Sequence, residues 1–442
     1  MIHDIKKMLR LEEPNLTTTG VFNEKYKEKN TLVIHGILTY EPTHCPNCGC
    51  AQKKEEGKLS IVKNGTKVVN VRLDAYNHMP TILRLAKQRF HCRECDSHWT
   101  AQTYFVEKNC FIAKHLYWKV LELLSMKISC TDIASLCQIS LSTVLRYLQT
   151  LRGQLPVKER LYLPKVLMID EFRSHAALED KMSFICADGE TGKLVDVLPS
   201  RKIEKLVRFF EACPNRHEVQ FLVMDMNGAY ATLIEKVFPQ AEIIIDRFHV
   251  IKHINKAFND LRVREMKSLR KKGKEKEANK LKNNWKLLLK NQENINDQFF
   301  KHWRSFPTPH FPMLTESLVI QRLLDFSPTL KKAYDCFHEL NDAFRKKDHE
   351  TFFRLLHALN GQGKIEEMER FIDLDEEMKA SLTNLLENEV GIRNALIYPY
   401  SNGKIEAKNT RIKVLKRVSY GFRSFHNMRA RIHLNNGLLT FY

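Results

Sequence analysis

Hydrophobic positions between residues 166 and 245 alternate between short apolar runs and amphipathic stretches. Short apolar runs are typical of buried strands, and apolar residues spaced three and four apart are typical of helices. The predicted order is strand, strand, strand, helix, strand, helix, strand. The segments are residues 166–169, 182–187, 193–198, 203–212, 221–224, 229–237 and 243–245. We therefore expect an α/β domain, with a hairpin between its second and third strands.

This order of elements is that of an RNase H-like fold, in which the first and fourth strands lie side by side. Asp170 follows the first predicted strand and Asp225 the fourth, so we expect their carboxylates to be neighbours. Two such carboxylates repel each other unless a divalent cation shares them, and oxygen ligands favour Mg²⁺ or Mn²⁺. Asp246, after the last strand, competes for the second position. Glu171 and Asp188 are weaker candidates, and turn capping is an alternative for the aspartates.

A third carboxylate is expected from a helix near the C-terminus. Asn402, Glu406, Asn409 and Lys413 recur at helical spacing and share one face of that helix. The face combines a carboxylate suited to a metal ion with amide and ammonium groups suited to phosphate. The alternative for Glu406 is a solvated side chain without a ligand.

Two Cys-x-x-Cys pairs near the N-terminus predict a zinc ribbon. The four cysteines are Cys45, Cys48, Cys92 and Cys95. Between them, residues 59–62, 67–73 and 81–90 are predicted as strands, with Asn64-Gly65 as a hairpin turn. Four thiolates around zinc form a closed site, which is structural. Unrelated cysteines or a redox pair are the alternatives, and a neighbour could replace one ligand: Cys50, His44, His91 or His98.

The pattern from residue 113 to 151 predicts helices arranged as a helix-turn-helix. Thr131 and Ser140 are each suited to cap a helix N-terminus. The second of the capped helices would present Ser142, Thr143 and Arg146 outward, as a recognition helix does in the major groove of DNA. The alternative is an ordinary helical hairpin.

Residues 255–395 are predicted to be helical throughout, which is far more chain than an RNase H-like sheet needs. The expected core of this insertion contains Trp285, Trp303, Leu323, Leu324, Phe352, Phe353, Leu355 and Leu356. Its first part, residues 262–290, is densely basic and includes Arg264, Arg270 and Lys271. Such a charge run is commonly a solvated helix face, and in a DNA-cutting enzyme it could instead contact DNA.

The net charge of the chain indicates a polyanionic partner. The chain has 442 residues, of which 43% are apolar, and its net charge is +19. Nucleic acid is favoured over anionic lipid, because each phosphate contact releases condensed counterions. Residues 1–10 lack a signal-peptide core, and no apolar run is long enough to span a bilayer. We therefore expect a cytoplasmic, nucleoid-associated protein whose 11 cysteines stay reduced.

The motifs taken together resemble the DDE transposases of bacterial insertion sequences, and among them the ISL-three family. The resemblance is carried by Ile169-Asp170-Glu171-Phe172, Met224-Asp225-Met226, the segment from Asp246 to Val250 with His249, the segment 402–409, and the tail 413–423 with Lys413, Lys416 and Arg417. It implies a catalytic triad of Asp170, Asp225 and Glu406 holding two Mg²⁺ ions, with Mn²⁺ as a substitute. His249 and His253 are four residues apart, and packing within the protein or contact with the DNA backbone is favoured over a metal-binding pair.

The resemblance also implies a domain order and a DNA partner. We expect a zinc ribbon (1–105), a helix-turn-helix (106–155), an RNase H-like catalytic domain (160–254 and 396–442) and the all-helical insertion (255–395). The implied activity is metal-dependent strand cleavage and strand transfer at terminal inverted repeats, into target DNA, by a homodimer or larger assembly. The alternatives are an RNase H-like nuclease or resolvase, which cleaves without joining, and a domesticated transposase that regulates through DNA binding alone.

Overall fold

The computed structural model describes residues 6–9, 11, 13–55, 58–174, 181–306 and 313–437. The chain divides into two units. The N-terminal unit contains the residues up to Leu155 together with those from Arg411 onward, and the central unit is Pro156–Thr410. The predicted domain 396–442 is therefore divided between the two units.

The N-terminal unit begins with a β-sheet. Its strands are β1 (Leu16–Tyr26), β2 (Lys29–Leu38), β5 (Ile61–Arg72), β6 (Thr81–Cys92) and β7 (His98–Thr100), and a separate short hairpin is formed by β3 (Lys54–Glu55) and β4 (Lys58–Leu59). The sheet order is β1-β2-β6-β5, with β7 paired to β6. The β1–β2 hairpin lies outside the strands predicted from the sequence. The β2–β6 pairing is parallel, whereas the other pairings in this sheet are antiparallel.

Asn64-Gly65 is not the predicted hairpin turn. It lies inside β5, where the register with β6 shifts between Lys63 and Thr66. Gly65 has a φ of +69°, a conformation that suits the glycine of a β-bulge. The Asn-Gly signal therefore marks a bulge within one long strand, because β6 offers a continuous partner on both sides of it.

Helices follow the sheet in the N-terminal unit. They are α1 (Lys114–Ser125), α2 (Cys130–Leu136) and α3 (Leu141–Thr150), and the C-terminal α16 (Phe425–Asn435) adds Ala430 and Leu434 to their core. Ser140 caps α3 as predicted. The cap of α2 is Ser129 and not Thr131: the Ser129 hydroxyl accepts from the Asp132 amide at 3.0 Å in a capping box.

Arg431 of α16 is completely buried in this helical group. Its guanidinium donates to Met126 O at 3.0 Å and to Ile128 O at 2.9 Å. Both carbonyls belong to the segment that joins α1 to α2. A residue near the end of the sequence therefore holds a connection about which the local pattern gives no information.

Replacing Arg431 by methionine should destabilise the N-terminal unit. Methionine retains much of the buried volume but leaves the Met126 and Ile128 carbonyls unpaired. A hydrogen bond from a charged donor contributes about 1.5–3 kcal/mol, so loss of the two bonds should lower the free energy of unfolding by about 3–6 kcal/mol. Urea denaturation measures this, with Arg423→Met as the control because Arg423 is exposed. Equal unfolding midpoints for the two variants would contradict the role assigned to Arg431.

The central unit contains the predicted α/β domain. Its elements are β8 (Val166–Arg173), β9 (Met182–Asp188), β10 (Leu194–Leu198), α4 (Ile203–Glu211), β11 (Phe221–Met224), α5 (Ala231–Val237) and β12 (Glu242–Ile245). The sheet order is β10-β9-β8-β11-β12. As predicted, the first and fourth strands of this domain, β8 and β11, are neighbours, and they are parallel.

One predicted boundary differs. β8 does not end before Asp170 but continues to Arg173, because β9 pairs with it along its whole length. The parallel pairing with β11 stops at Met168 and Val223. Asp170 is therefore a residue within a strand that lies just past the end of the parallel pairing.

The described residues that follow β12 in the central unit are helical except for one short antiparallel pair of strands, so the prediction of an all-helical segment 255–395 is wrong at that pair. The elements are α6 (Arg247–Lys271), α7 (Glu275–Asn283), α8 (Trp285–Leu288), β13 (Lys301–His302), β14 (Met313–Leu314), α9 (Glu316–Leu324), α10 (Pro328–Arg345), α11 (His349–Leu359), α12 (Ile365–Glu369), α13 (Glu376–Thr383), α14 (Glu389–Ile397) and α15 (Gly403–Val418), whose first turns belong to this unit. The predicted leucines and phenylalanines of the core are buried. Trp285 is 39% exposed, so its predicted core position is wrong. None of the described helices combines the length and apolarity required to cross a membrane.

Helix α14 lies closely against the edge strand β12. A Cβ added at Gly391 would lie 2.7 Å from Ile245 Cγ1, so this close approach requires glycine. Asn394 Nδ2 donates to Ile243 O at 2.9 Å, and Arg247 donates to Ala395 O at 2.9 Å. The helical segment is thereby fixed to the sheet beside the ends of β11 and β12.

Candidate active site and metal centre

Three aspartates lie in one row across the parallel strands. Val223 of β11 pairs with Met168 of β8, and continuing that register by two residues brings Asp225 opposite Asp170. Met224 pairs with Ile245 of β12, and one further step brings Asp225 opposite Asp246. Adjacent strands are about 4.8 Å apart. The sheet thus places the three carboxylates at the same level, with Asp225 in the middle.

Asparagine side chains from α15 and the residue before it contact two of these aspartates. Asn409 Nδ2 donates to Asp170 Oδ2 at 2.6 Å, and Asn402 Nδ2 donates to Asp225 Oδ1 at 3.3 Å. Both asparagines are buried. Their predicted contact with DNA stays a prediction, and in the structure they lie against the carboxylates. Their spacing on one helix face was visible in the sequence, whereas the acidic partner of that face was not.

Glu406 lies in the first turn of α15, on the same side as Asn402 and Asn409, and is partly exposed. The Glu406 amide donates to Asn402 O at 2.9 Å at the start of the helix. Its charge is among those that raise the pKa of Asp225. The three predicted carboxylates are therefore brought into one region by two neighbouring strands and one helix.

Burial dominates the electrostatics of the aspartates. It raises the pKa of Asp170 to about 6; the Glu171 amide opposes this shift, and the charge of Asp225 adds to it. Burial also raises the pKa of Asp225, where His249 lowers it and the charges of Asp246 and Glu406 raise it further. Such shifts mark a place where negative charge is poorly compensated by the chain itself.

The donor set fits a hard divalent cation. Asp170, Asp225 and Glu406 supply carboxylate oxygens, which Mg²⁺ and Mn²⁺ prefer. The Oδ1 atoms of Asn402 and Asn409 are buried without a hydrogen-bond partner. A buried unpaired acceptor is costly, and a hydrated cation among the carboxylates is a species that can satisfy it.

The tightest group of possible metal ligands at this site differs from the predicted triad. Ligand atoms of Asp225, Asp246 and His249 all lie within 4.8 Å of one another, and Asp170 and Glu406 are not part of that group. His249 Nδ1 lies 3.0 Å from Asp225 Oδ1 and 3.1 Å from Asp246 Oδ2. The residue pattern made Asp246 a competitor for the second ligand position and assigned no role to His249, although the position of His249 just after β12 could have indicated one.

Glu171, a weaker candidate for the second ligand, is engaged elsewhere. Its carboxylate accepts from Tyr230 Oη at 2.6 Å and from Arg201 at 2.6 Å. Burial, followed by the contact with Glu171, raises the pKa of Tyr230. Asp188, the other weak candidate, accepts from the Glu190 amide at 2.8 Å in a turn.

In the N-terminal unit, Cys45, Cys48, Cys92 and Cys95 form a compact cluster. All four sulfurs lie within 4.8 Å of one another. The Sγ atoms of Cys45 and Cys95 are 3.7 Å apart, and those of Cys48 and Cys92 are 3.9 Å apart. A zinc ion with bonds of about 2.3 Å to four sulfurs requires tetrahedron edges of about 3.8 Å. The cluster therefore fits zinc.

Hydrogen bonds to sulfur support the same interpretation. Ser97 Oγ, 3.1 Å from the sulfur, and Asn47 Nδ2 together lower the pKa of Cys95 to about 6, which favours the thiolate at this one cysteine. Burial raises the pKa of Cys92, and against the Cys50 amide the Cys95 thiol raises the pKa of Cys48. Cys50 Sγ lies 3.4 Å from Cys92 Sγ, next to the cluster. A third group of possible ligands on the β6–β7 hairpin consists of His91, Asp96 and His98 and is more exposed.

The predicted recognition helix is α3, and its outward side chains are partly as expected. Ser142 and Arg146 are exposed. Thr143 is buried, so its predicted outward placement is wrong. Its hydroxyl lies 2.8 Å from Ser140 Oγ and accepts from Arg146 at 3.2 Å. Thr143 therefore contributes to the helix start and holds the arginine.

The basic side chains of α6 differ in their exposure and in whether an acidic side chain pairs with them. Arg264 is paired with Asp375 and, at 2.8 Å, with Glu377. Arg270 is exposed and donates to Asn279 Oδ1 at 3.2 Å. Lys271 is exposed at the end of the helix. On α15, Lys413 and Arg417 are exposed, and Lys416 is partly exposed.

Comparison with known proteins identifies the class of this chain. A family model described as a transposase matches residues 167–432, which is more than half of the chain. The transposase for insertion sequence element IS1001 of Bordetella parapertussis is 23% identical over 405 residues, covering 89% of this chain and 88% of that protein. The chain is thus a transposase of the class named after its DDE triad.

Within this class, the chain belongs to the ISL-three family. The family implies an RNase H-like fold and a divalent metal. A second relative, a protein of Lactococcus lactis subsp. lactis named ATP-dependent protease, is 36% identical over 124 residues. The match covers 28% of this chain and 36% of that relative, so the chain spans just over a third of its length. That name applies to the relative.

Proposed function

We propose that this chain binds the terminal inverted repeats of an insertion sequence and catalyses metal-dependent cleavage and strand transfer of DNA. The observation that carries the proposal is that Asp170, in β8, and Asp225, directly after β11, lie just past the end of the parallel pairing of these neighbouring strands, with Glu406 in the first turn of α15. In this proposal, β8 to β12 form an RNase H-like sheet. Asp170, Asp225 and Glu406 are the triad, and they hold two Mg²⁺ ions or Mn²⁺ in their place.

In the proposed phosphodiester chemistry, the aspartates bind the metal ions and the asparagines orient the aspartates. When bound between carboxylates, divalent cations lower the pKa of an attacking water or 3′-hydroxyl and stabilise the leaving oxygen. Asp170 and Asp225 provide a pair of ligands of fixed spacing, since each is set by strand register. Asn409 and Asn402 orient these carboxylates through their amide groups. Water as the nucleophile gives cleavage, and a DNA 3′-hydroxyl gives strand transfer.

We assign recognition of the element ends to the N-terminal unit. Helices α2 and α3 act as a helix-turn-helix in which Ser142 and Arg146 face the major groove, and the cysteine cluster is a structural zinc ribbon. The net charge of +19 supports a DNA partner. Exposed cations of the central unit, such as Arg270 and Lys271, contact the DNA backbone, as do Lys413, Lys416 and Arg417 of α15. Two ends joined in concert require a homodimer or a larger assembly, which acts at the bacterial nucleoid.

Purified full-length, zinc-loaded protein should cleave and join DNA that carries the ends of its own element. The assay combines labelled end duplexes, a supercoiled plasmid and about 5 mM Mg²⁺. We expect nicked or cut ends and labelled plasmid products, and neither when Mg²⁺ is left out of the reaction of the zinc-loaded protein. Cleavage without joined products would indicate a nuclease or resolvase. Binding without either reaction would indicate an inactive regulator, and both outcomes would overturn the proposal.

A further inference from the structure

Asp246 is a buried carboxylate with both oxygens in use. Its side chain is only 4% exposed, whereas that of Asp225 is 31% exposed. Asp246 Oδ2 lies 3.1 Å from His249 Nδ1, and Oδ1 accepts from the Asn402 amide at 3.1 Å. Burying a charge is costly unless it is paired and hydrogen-bonded, so these two contacts determine where this carboxylate points.

His249 transmits the contact to Asp225. A single nitrogen, Nδ1, lies 3.0 Å from Asp225 Oδ1 and 3.1 Å from Asp246 Oδ2. Ionised carboxylate oxygens only accept, so when both aspartates are ionised the N–H that they share belongs to this nitrogen. His249 therefore orients Asp225, while Asp246 holds the ring through the same N–H.

The second oxygen of Asp246 reaches across the helical segment to the start of α15. Asn402 immediately precedes this helix, and its carbonyl accepts from the Ile405 and Glu406 amides at 3.0 and 2.9 Å. Asn402 also donates from its side chain to Asp225 Oδ1. The position of the first turn, and with it Glu406, therefore depends on a hydrogen bond to a carboxylate 156 residues earlier in the chain.

We propose that Asp246, with His249, is a positioning residue that fixes two metal-binding carboxylates relative to each other: Asp225 through the imidazole and Glu406 through the Asn402 amide. We call the side chains of Asp246, His249 and Asp225, together with the Asn402 amide, the Asp246 clasp. The proposal rests on the proposed function, in which Asp225 and Glu406 hold the metal ions. It assigns Asp246 to a position behind the metal and not among its ligands, because its oxygens are buried and already hydrogen-bonded.

The first test measures the clasp without any catalytic activity. In hydrogen–deuterium exchange of the full-length protein, Asp246→Ala should increase the exchange rate of peptides covering residues 399–407 by about tenfold or more, since the Asn402 amide loses its buried acceptor. Peptides covering β8 should be unchanged. The matched control is Asp260→Ala, because Asp260 is an exposed aspartate on α6, the helix that begins directly after Asp246. Unchanged exchange in 399–407 would overturn the proposal.

The second test separates positioning from ligation by titrating Mn²⁺. Loss of a residue that orients a metal ligand weakens metal affinity about 10–100-fold. Asp246→Ala should raise the dissociation constant of Mn²⁺ by that factor in electron paramagnetic resonance titrations. Strand cleavage should return at saturating Mn²⁺, whereas Asp225→Asn should stay inactive. If Asp246→Ala stayed inactive at all Mn²⁺ concentrations while exchange in 399–407 was unchanged, Asp246 would be a ligand and the proposal wrong.

His249 allows a conservative comparison. Asparagine keeps an amide N–H near the place of Nδ1, glutamine moves it toward the place of Nε2, and alanine removes it. We expect Mn²⁺ affinity to decrease least in His249→Asn and most in His249→Ala. Equal affinities in all three variants would remove His249 from the clasp. If the wild type neither cleaves nor joins DNA, the proposed function fails, but exchange and Mn²⁺ binding still report on the clasp.

Discussion

Replacing Asp170, Asp225 or Glu406 by the corresponding amide should abolish DNA cleavage and strand transfer while DNA binding is retained. The amides keep the shape of the side chains and remove the charge that holds a divalent cation. Residues that act together in catalysis each contribute several orders of magnitude, so we expect rates to fall on the order of 1,000-fold or more. Cleavage and joining of labelled ends measure the effect, and gel retardation measures binding.

The control for this series is Glu235→Gln, because Glu235 is exposed on α5. It should react like the wild type. Full activity of Glu406→Gln would show that the third ligand is another residue. Asp246→Asn could be inactive at every metal concentration while Asp225→Asn is active. In that case the second metal ligand would be Asp246, after β12, and not Asp225, after β11. The proposed Asp246 clasp would then be wrong as well.

Removal of zinc should unfold the N-terminal unit and abolish recognition of the element ends. Structural zinc contributes about 10–16 kcal/mol to small sites, which matches or exceeds the total stability of most domains, about 5–15 kcal/mol. Cys48→Ser and Cys95→Ser should therefore lose bound zinc, the thermal transition of this unit and specific DNA binding. Zinc content by mass spectrometry, near-ultraviolet circular dichroism and gel retardation provide the three measurements.

Two cysteines serve as controls for the zinc prediction. Cys110 is exposed and outside the cluster, so Cys110→Ser should retain one zinc ion and normal folding. Cys50→Ser tests the neighbour of the cluster, and it too should keep zinc if the four ligands are Cys45, Cys48, Cys92 and Cys95. An N-terminal unit that keeps its thermal transition after complete chelation would disprove the structural role of the metal.

Local patterns in the sequence predicted most of the central sheet. The apolar runs before Asp170, Asp225 and Asp246 correspond to β8, β11 and β12, and residues 221–224 are strand β11 itself. A buried strand requires several consecutive apolar residues, so the signal is present within the strand. The adjacency of Asp170 and Asp225 followed from the order of elements, because few arrangements of this order are physically accessible.

Predictions failed where a distant partner decides the outcome. Asn64-Gly65 predicted a turn, but β6 continues beside it and makes it a bulge. The DNA contact of Arg264 stays a prediction, but its ion pairs with Asp375 and Glu377 could not be predicted from the local pattern. Asn402 and Asn409 had the correct spacing for one helix face, and only the packed structure shows that this face meets aspartates.

The residue pattern alone predicted the strands of the central sheet, most of the helical region, the two cysteine pairs and the three candidate carboxylates, because each of these depends on residue types within a short segment. The hydrogen bonds that orient these carboxylates depend on packing between segments that are far apart in the sequence. The contacts of Asp246 with His249 and Asn402, like those of Arg431 with Met126 and Ile128, join groups that the local pattern does not link. Such contacts exist because burying a charge or a carbonyl requires a partner, and the fold determines which partner is near.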